Sequence, residues 1–319
     1  MIAGMAGTHV SVDNFVRAET DRMFGALMQQ AGGVNGFGHN RTPTPLDQQT
    51  VIRMNRDTLY SFAIVDISGG ATLTVPESGD RYVSVMVVNQ DHYINRIFHR
   101  AGDYSLTVDE FDTPYVLVAA RVFVDPGDEA DVAAVNALQD GFAVTASSAA
   151  PFTPTDYDRE SLDTTRRSLL ELAKNVGGFD HAFGARSDVD PVRHLLGTAA
   201  GWGGLPEREA HYVGGTPDLP VGEYAIRVED VPVDGFWSIS VYNAEGFFVA
   251  NDRDAVSINN VTAVSDADGS VTVHFGGCSD DRPNCLPIME GWNYLVRLYR
   301  PRPEVLDGTW TFPGATPVG

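Results

Sequence analysis

The chain has 319 residues, 43% of them hydrophobic, with 43 acidic residues against 22 basic ones and a formal net charge of −21. That length suits two domains or one long β domain with a real core, and the composition excludes a collagen, a coiled coil or a long disordered tail. So acidic a surface, with Lys174 the single lysine, repels phosphate backbones and anionic membranes, so neither nucleic acid nor membrane is expected as a partner.

The start, MIAGMAGTHVSVDNF, lacks a basic n-region and a long apolar run. A cytoplasmic location is therefore the expectation, with secretion after removal of a signal left open. Residues 11–31 predict a helix capped by Ser11, with Val12, Phe15, Val16, Phe24, Leu27 and Met28 near helical spacing and Gly32-Gly33 ending it. From about 50 to 124 the pattern is β. Ala71–Val75 stops at Pro76, Arg81–Val88 is rich in β-branched residues, and Tyr104–Val108 and Tyr115–Val124 follow. Residues 126–140 predict a helix with an acidic first turn, and 143–157 read as a linker. Helices are predicted near 160–176 and from Asp190-Pro191, an N-cap followed by proline at the first helical position.

The β pattern resumes at 222 with strands at Glu223–Val228 and Phe236–Tyr242. Val261–Val264 and Ser270–Phe275 flank a turn and predict a hairpin, and Trp292–Tyr299 is the last strand. Strands, helices, then strands again predict a mainly β (α+β) fold: two jelly-roll-like β-sandwich domains, an N-terminal helix and a helical connection. The boundaries drawn are 1–145 for the first domain, 146–215 for the connector and 216–319 for the second. Cys278 and Cys285 are too few for a disulfide framework, and both two free thiols and one loop bridge stay open.

Several stretches resemble a known family. In the first half they are VIRMNRDTLYSFAIVDISG, with Asn-x-Asp-Thr-Leu-Tyr-Ser, and the Gly-x-Arg-Tyr of GDRYVSV. In the second they are FWSISVYNAEGFFVAN, ADGSVTVHF, LPIMEGWNYLVRLYRP and LDGTWTFP. Together they are similar to a bacterial group that pairs domains of unknown function 1254 and 1214. The resemblance implies two jelly-roll-like domains joined by helices and supplies no reaction. Members often have Trp-Leu-Pro where this chain has Cys285-Leu286-Pro287.

The candidate site starts from Arg53-Met54-Asn55-Arg56-Asp57-Thr58, a polar run between strand-like flanks. On a strand, Arg53, Asn55 and Asp57 would share one face, an arrangement costly in a core and sensible at a cleft. An internal ion pair with Asp57 is the structural alternative. His92, at the end of the strongest strand in Asn89-Gln-Asp-His-Tyr93, is a candidate base or metal ligand. Asp57 and His92 are thus the candidate catalytic residues. Asn55, Arg56, Tyr60, Tyr242, Asn251 and Arg297 are the candidate substrate-binding residues, though Arg297, inside a strand, is expected to have a structural carboxylate partner. His92, His99 and Asp57 form a speculative metal set, without a recognised spacing. Trp237 reads as core.

No P-loop, dinucleotide fingerprint or G-x-S-x-G elbow is present, so no nucleotide cofactor is expected. One divalent metal ion is the one cofactor entertained. The leading expectation is an enzyme acting on a small organic molecule, with hydrolysis the first guess, in a cleft of the N-terminal β domain. The alternative is a non-catalytic ligand- or carbohydrate-binding β-sandwich, which exposed Trp202, Trp237 or Trp292 in a row would favour. A homo-oligomer is left open.

Overall fold

The computed structural model describes residues 7–49, 52–215, 219–278 and 282–318. The chain divides into two compact units. The first comprises Met1–Arg41, Leu59–Phe123 and Ala130–Pro206, and the second Thr42–Thr58, Val124–Glu129 and Glu207–Gly319.

The strands of the first part of the chain are β1 (Gly38–His39), β2 (Thr58–Asp66), β3 (Ala71–Val75), β4 (Val83–Asn89), β5 (Ile94–Phe98), β6 (Gly102–Leu106), β7 (Tyr115–Phe123) and β8 (Ala143–Ala146). Its helices are α1 (Phe15–Ala31), α2 (Val108–Phe111), α3 (Glu129–Gln139), α4 (Arg159–Ala173) and α5 (Pro191–Gly201). One sheet runs β1-β2-β7-β4-β5 and a smaller one β6-β3-β8. Every residue of β4 is buried, as expected of a β-branched run at the centre of a sheet.

The expected linker at 143–157 begins with a strand, since β8 pairs with β3. Of the expected connector 146–215, residues 146–206 lie in the first unit and 207–215 in the second. Val10, Phe15 and Ala18 share a buried cluster with Leu162, Leu169 and Leu196, so α1, α4 and α5 bury one apolar surface together. Asp190 accepts from the Val192 and Arg193 amides and starts α5 as predicted. The N-cap of α1 is Asn14, not Ser11, and its Oδ1 accepts from the Ser11 amide.

The second unit holds β9 (Ala210–Gly215), β10 (Tyr224–Val228), β11 (Trp237–Tyr242), β12 (Ser257–Asn259), β13 (Val271–Phe275), β14 (Cys285–Leu286), β15 (Asn293–Tyr299), β16 (Thr316–Pro317) and the short α6 (Pro303–Leu306). Two four-stranded sheets, β14-β13-β10-β16 and β12-β11-β15-β9, make a sandwich. Alternation sends Ile226, Val273 and Phe275 from one sheet, and Trp237, Ile239, Val296 and Leu298 from the other, into one buried core. Trp237 is core, as expected. Gly215 sits where a Cβ would stand 2.1 Å from the Tyr294 ring carbon Cζ, so this end of β9 has no room for a side chain.

The hairpin expected at 261–275 is not formed. Residues 260–263 make a turn because the Asn259 Oδ1 accepts from the Val261 and Thr262 amides, and Val264 bonds the Asn284 side chain. β13 pairs instead with β10 and β14. Cys278 and Cys285 are bridged. No described helix is long and apolar enough to cross a membrane.

Candidate functional site

The polar run that opens β2 is not a strand. Val51 lies outside the described residues, and 52–57 is a turn and loop. Arg53 takes a positive φ of 54°, and the Asn55 side chain accepts from the Asp57 amide, a local bond that bends the chain. The alternation expected of Arg53, Asn55 and Asp57 therefore does not apply.

This segment lies within the second unit, against the face of β11 and β15 that points away from the sandwich core. Ser238, Ser240 and Tyr242 are on that face of β11, and Arg297 and Tyr299 on that face of β15. Asp57 is 1% exposed and accepts from Ser238 Oγ at 2.6 Å and Ser257 Oγ at 3.1 Å. Arg297, 3% exposed, donates to Ser240 Oγ, to the Tyr242 hydroxyl and to the carbonyls of Arg53 and Met54, all within 3.1 Å. Tyr242 in turn donates to the Met54 carbonyl, and Asn55 donates to the Tyr299 hydroxyl. Leu46 and Met54 pack on Tyr242 and Phe248, and the Gln49 side chain bonds both the N–H and C=O of Phe248.

The expected carboxylate partner of Arg297 is thus corrected. Its direct partners are hydroxyls and carbonyls, and Asp57 acts on it through charge without an ion-pair contact. Burial alone would lower the Arg297 pKa, but the Tyr242 and Tyr299 phenols and the Asp57 carboxylate more than offset it and hold it above the ordinary arginine range. Burial raises the Asp57 pKa, against the opposing pull of Arg297, the two serine hydroxyls and Arg56.

Asp57, Asn55, Tyr242 and Arg297 are therefore brought into one network. Arg56 is half-buried and joins it through charge alone, and its Nε has no hydrogen-bond partner. Arg53, also half-buried, places its guanidinium 5.9 Å from the centre of the Tyr242 ring. Asn251 is elsewhere engaged, closing its own turn by bonds to Arg253 and Ala255. Tyr60 belongs to the first unit, its ring 5.3 Å below the Arg121 guanidinium.

His92 belongs to the first unit and is fully buried. A β-bulge at Val87/Val88 leads into a tight turn whose amides at Asp91 and Tyr93 bond the Asn89 side chain, and His92 takes a positive φ of 61°. The Thr198 hydroxyl donates to the His194 carbonyl, so toward His92 Nδ1, 2.8 Å away, it is the acceptor. His92 Nε2 accepts from the Gly203 amide at 2.9 Å. The ring is thus the neutral Nδ1–H tautomer with both nitrogens engaged. It stacks 5.3 Å from Trp202 and 5.5 Å from His194, which stacks 4.7 Å from Tyr93. Burial, and next the charge of His194, lower the His92 pKa well below the usual imidazole value.

The suggested metal set does not fit these surroundings. Both His92 nitrogens are engaged, by Thr198 and by the Gly203 amide, His99 Nδ1 bonds the Val83 carbonyl, and both Asp57 oxygens are hydrogen-bonded. No group of three or more metal-binding side chains occurs among the described residues. Trp237 and Trp292 are buried in the core of the second unit, and the Trp202 indole donates to Thr20, so the exposed tryptophan row is not formed. Ser238, Ser240 and Ser257, which complete the network, were not singled out from the sequence. The alternation of Trp237-Ser-Ile-Ser-Val-Tyr242 already put two of them on one face.

The fold and this network define a two-unit, β-sandwich-like protein with a polar sheet face in its second unit. The family described as "Protein of unknown function (DUF1254)" matches residues 34–146, and that described as "Protein of unknown function (DUF1214)" matches 215–303. The chain belongs to the two-domain family that pairs them. Five solved chains match. The crystal structure of the VPA0106 protein from Vibrio parahaemolyticus has a TM-score of 0.72 at 18% identity, covering 97% of this chain and 98% of that one. An uncharacterised protein from Burkholderia cenocepacia has a TM-score of 0.50 at 13% identity, over 91% of this chain and 85% of that one. No curated protein matches. These likenesses concern the fold.

Proposed function

We propose that this chain recognises a small organic anion at the Arg53–Asp57 turn of its second unit. The observation that carries the reading is a local charge imbalance. Arg56 and Arg297 act on one carboxylate, Asp57, and the Arg53 guanidinium stands over the adjoining Tyr242 ring, in a chain whose net charge is −21. Neither Arg53 nor Arg56 has an ion-pair partner among the described residues, whereas Arg17, Arg81, Arg166, Arg227 and Arg302 all do. A guanidinium with spare donors suits a carboxylate or related anion. The positive φ of Arg53, over-determined by the bonds Arg297 makes to the 53 and 54 carbonyls, supports a shaped turn.

The measurement is calorimetric titration with succinate and with benzoate. Replacing Arg53 and Arg56 together by Gln should weaken binding about tenfold or more, the scale of a charge-assisted bond. Equal binding by the double variant would refute the reading.

Hydrolysis is a second reading, favoured by one observation. Ser257, half-buried, donates to a buried carboxyl whose basicity burial increases. In that scheme Ser257 Oγ bonds to an acyl carbon, its proton passes to Asp57, and the leaving group departs with that proton; water then releases the acid. Turnover of a nitrophenyl ester that is lost in Ser257→Ala, with anion binding retained, would support it. Turnover unchanged by that substitution would remove it.

A further inference from the structure

The geometry points to a second ligand site, in the first unit: a small cleft that takes a short aliphatic monocarboxylate. The cleft lies where the end of α4 and the residues after it meet α5, and its volume is about 80 Å³. Of nine lining residues eight are apolar or glycine, and the ninth is Arg193. Val176, Phe179 and Leu196 supply much of its apolar surface. Gly197 lets α5 close tightly on Ala182 and Phe183, because a Cβ there would stand 2.8 Å from the Ala182 methyl and 3.2 Å from the Phe183 ring. Phe179 is 45% exposed, so the cleft reaches solvent.

Size sets the tail. A volume of 80 Å³ is roughly half of the ~150 Å³ that accepts benzene, so it suits a tail about half the size of that ring. Charge sets the head. The one hydrogen bond of the Arg193 guanidinium is a long one, 3.3 Å, to the Asp180 carbonyl, and it has no ion-pair partner among the described residues. No other charged side chain lines the cleft. The Asp180 carboxylate lies close by, 3.8 Å from where a Gly178 Cβ would stand. Its negative charge disfavours a doubly charged phosphate more than a singly charged carboxylate on the guanidinium. A three-carbon tail in the cleft with its carboxylate on Arg193 describes butyrate.

The test is an amide NMR titration of the full chain with butyrate and, separately, 1-butanol. Butyrate should shift the Gly197 and Ala200 amides saturably. Arg193→Gln should weaken butyrate about tenfold or more while changing 1-butanol little, because the charge-assisted bond alone is lost. Ala200→Phe, at an exposed position of α5, should fill the cleft and abolish both without lowering the melting temperature. Arg56→Gln should leave these shifts unchanged, which separates this site from the one proposed above. Absence of saturable shifts at these amides, or shifts that survive Ala200→Phe, would overturn the assignment. Shifts of the same amides with protein concentration alone would overturn it too, and give the cleft to a second copy of the chain.

Discussion

The two units each bury a titratable group named by the sequence, and they treat it in opposite ways. His92 of the first unit is neutral, held by a hydroxyl and a backbone amide inside a stack of rings. Asp57 of the second unit is an acid under the field of Arg297, held by two serine hydroxyls. The first arrangement leaves nothing over: each nitrogen has one partner of the right kind, and the ring's faces are covered. The second leaves positive charge over, because two further guanidiniums stand nearby without ion-pair partners. A buried polar residue thus points to function through what its surroundings leave unpaired, not through its own burial.

The sharpest way to break this contrast is Arg297→Leu. It removes the donors that hold the 53 and 54 carbonyls and leaves Asp57 buried without its counter-charge. A loss of about 3–5 kcal/mol is expected, the scale of breaking a buried charge pair from one side. Urea unfolding measures it, and a loss below about 1 kcal/mol would mean that the network does not hold the segment.

Next comes His92→Phe, which keeps a ring in the stack but orphans the Gly203 amide and leaves the Thr198 hydroxyl with only its bond to the His194 carbonyl. A loss of about 1–3 kcal/mol is expected at neutral pH. The pH dependence carries the comparison further. A base whose folded pKa is depressed contributes stability that is present above its unfolded value, near 6.5, and lost as pH falls below it. Asp57 has the opposite sign: its pKa is raised, so its contribution is full below about 3.8 and is lost as pH rises through the folded value. Melting temperatures between pH 7 and 5 should fall for the native chain, and less steeply for His92→Phe. Parallel curves would show that His92 is not what the acid limb reports.

The smallest expected effect is that of Ser257→Ala, which removes one of the two hydroxyls on Asp57. About 0.5–1.5 kcal/mol is expected, from urea unfolding at pH 7. Ser238 would still hold the carboxyl, so a loss as large as that of Arg297→Leu would place Ser257, not Arg297, at the centre of the network.

Much of the architecture could be read from the chain. β3, β4, β7, β10, β11 and β15 are runs of β-branched and aromatic residues, and Asp190-Pro191 marks the start of α5. Less legible were β9 and β12, a glycine-ended hexapeptide and a three-residue strand, because pairing with neighbours and not composition makes them strands. The turn at 52–57 has strand-like flanks, and its bend comes from a side-chain bond local to Asn55 that composition does not show. Of the site, the charged members stood out as costly residues in a strand-like context. Their partners did not, because Ser238 is 181 residues from Asp57 and the Arg53 carbonyl 244 from Arg297. His92 was misleading for the converse reason: neutral partners leave no mark in composition.

The chain order of the two units has a consequence for biosynthesis. Residues 42–58 leave the ribosome early, yet the strands that receive them are made last, with Asn55 and Tyr299 separated by 244 positions. During translation this stretch must wait, uncovered, while the segments on either side of it, 1–41 and 59–123, are already free to assemble with each other. A cut at any single peptide bond cannot release both units whole. The two halves named by the family are therefore not modules that a gene could exchange one at a time, because the second borrows part of its sheet covering from the first.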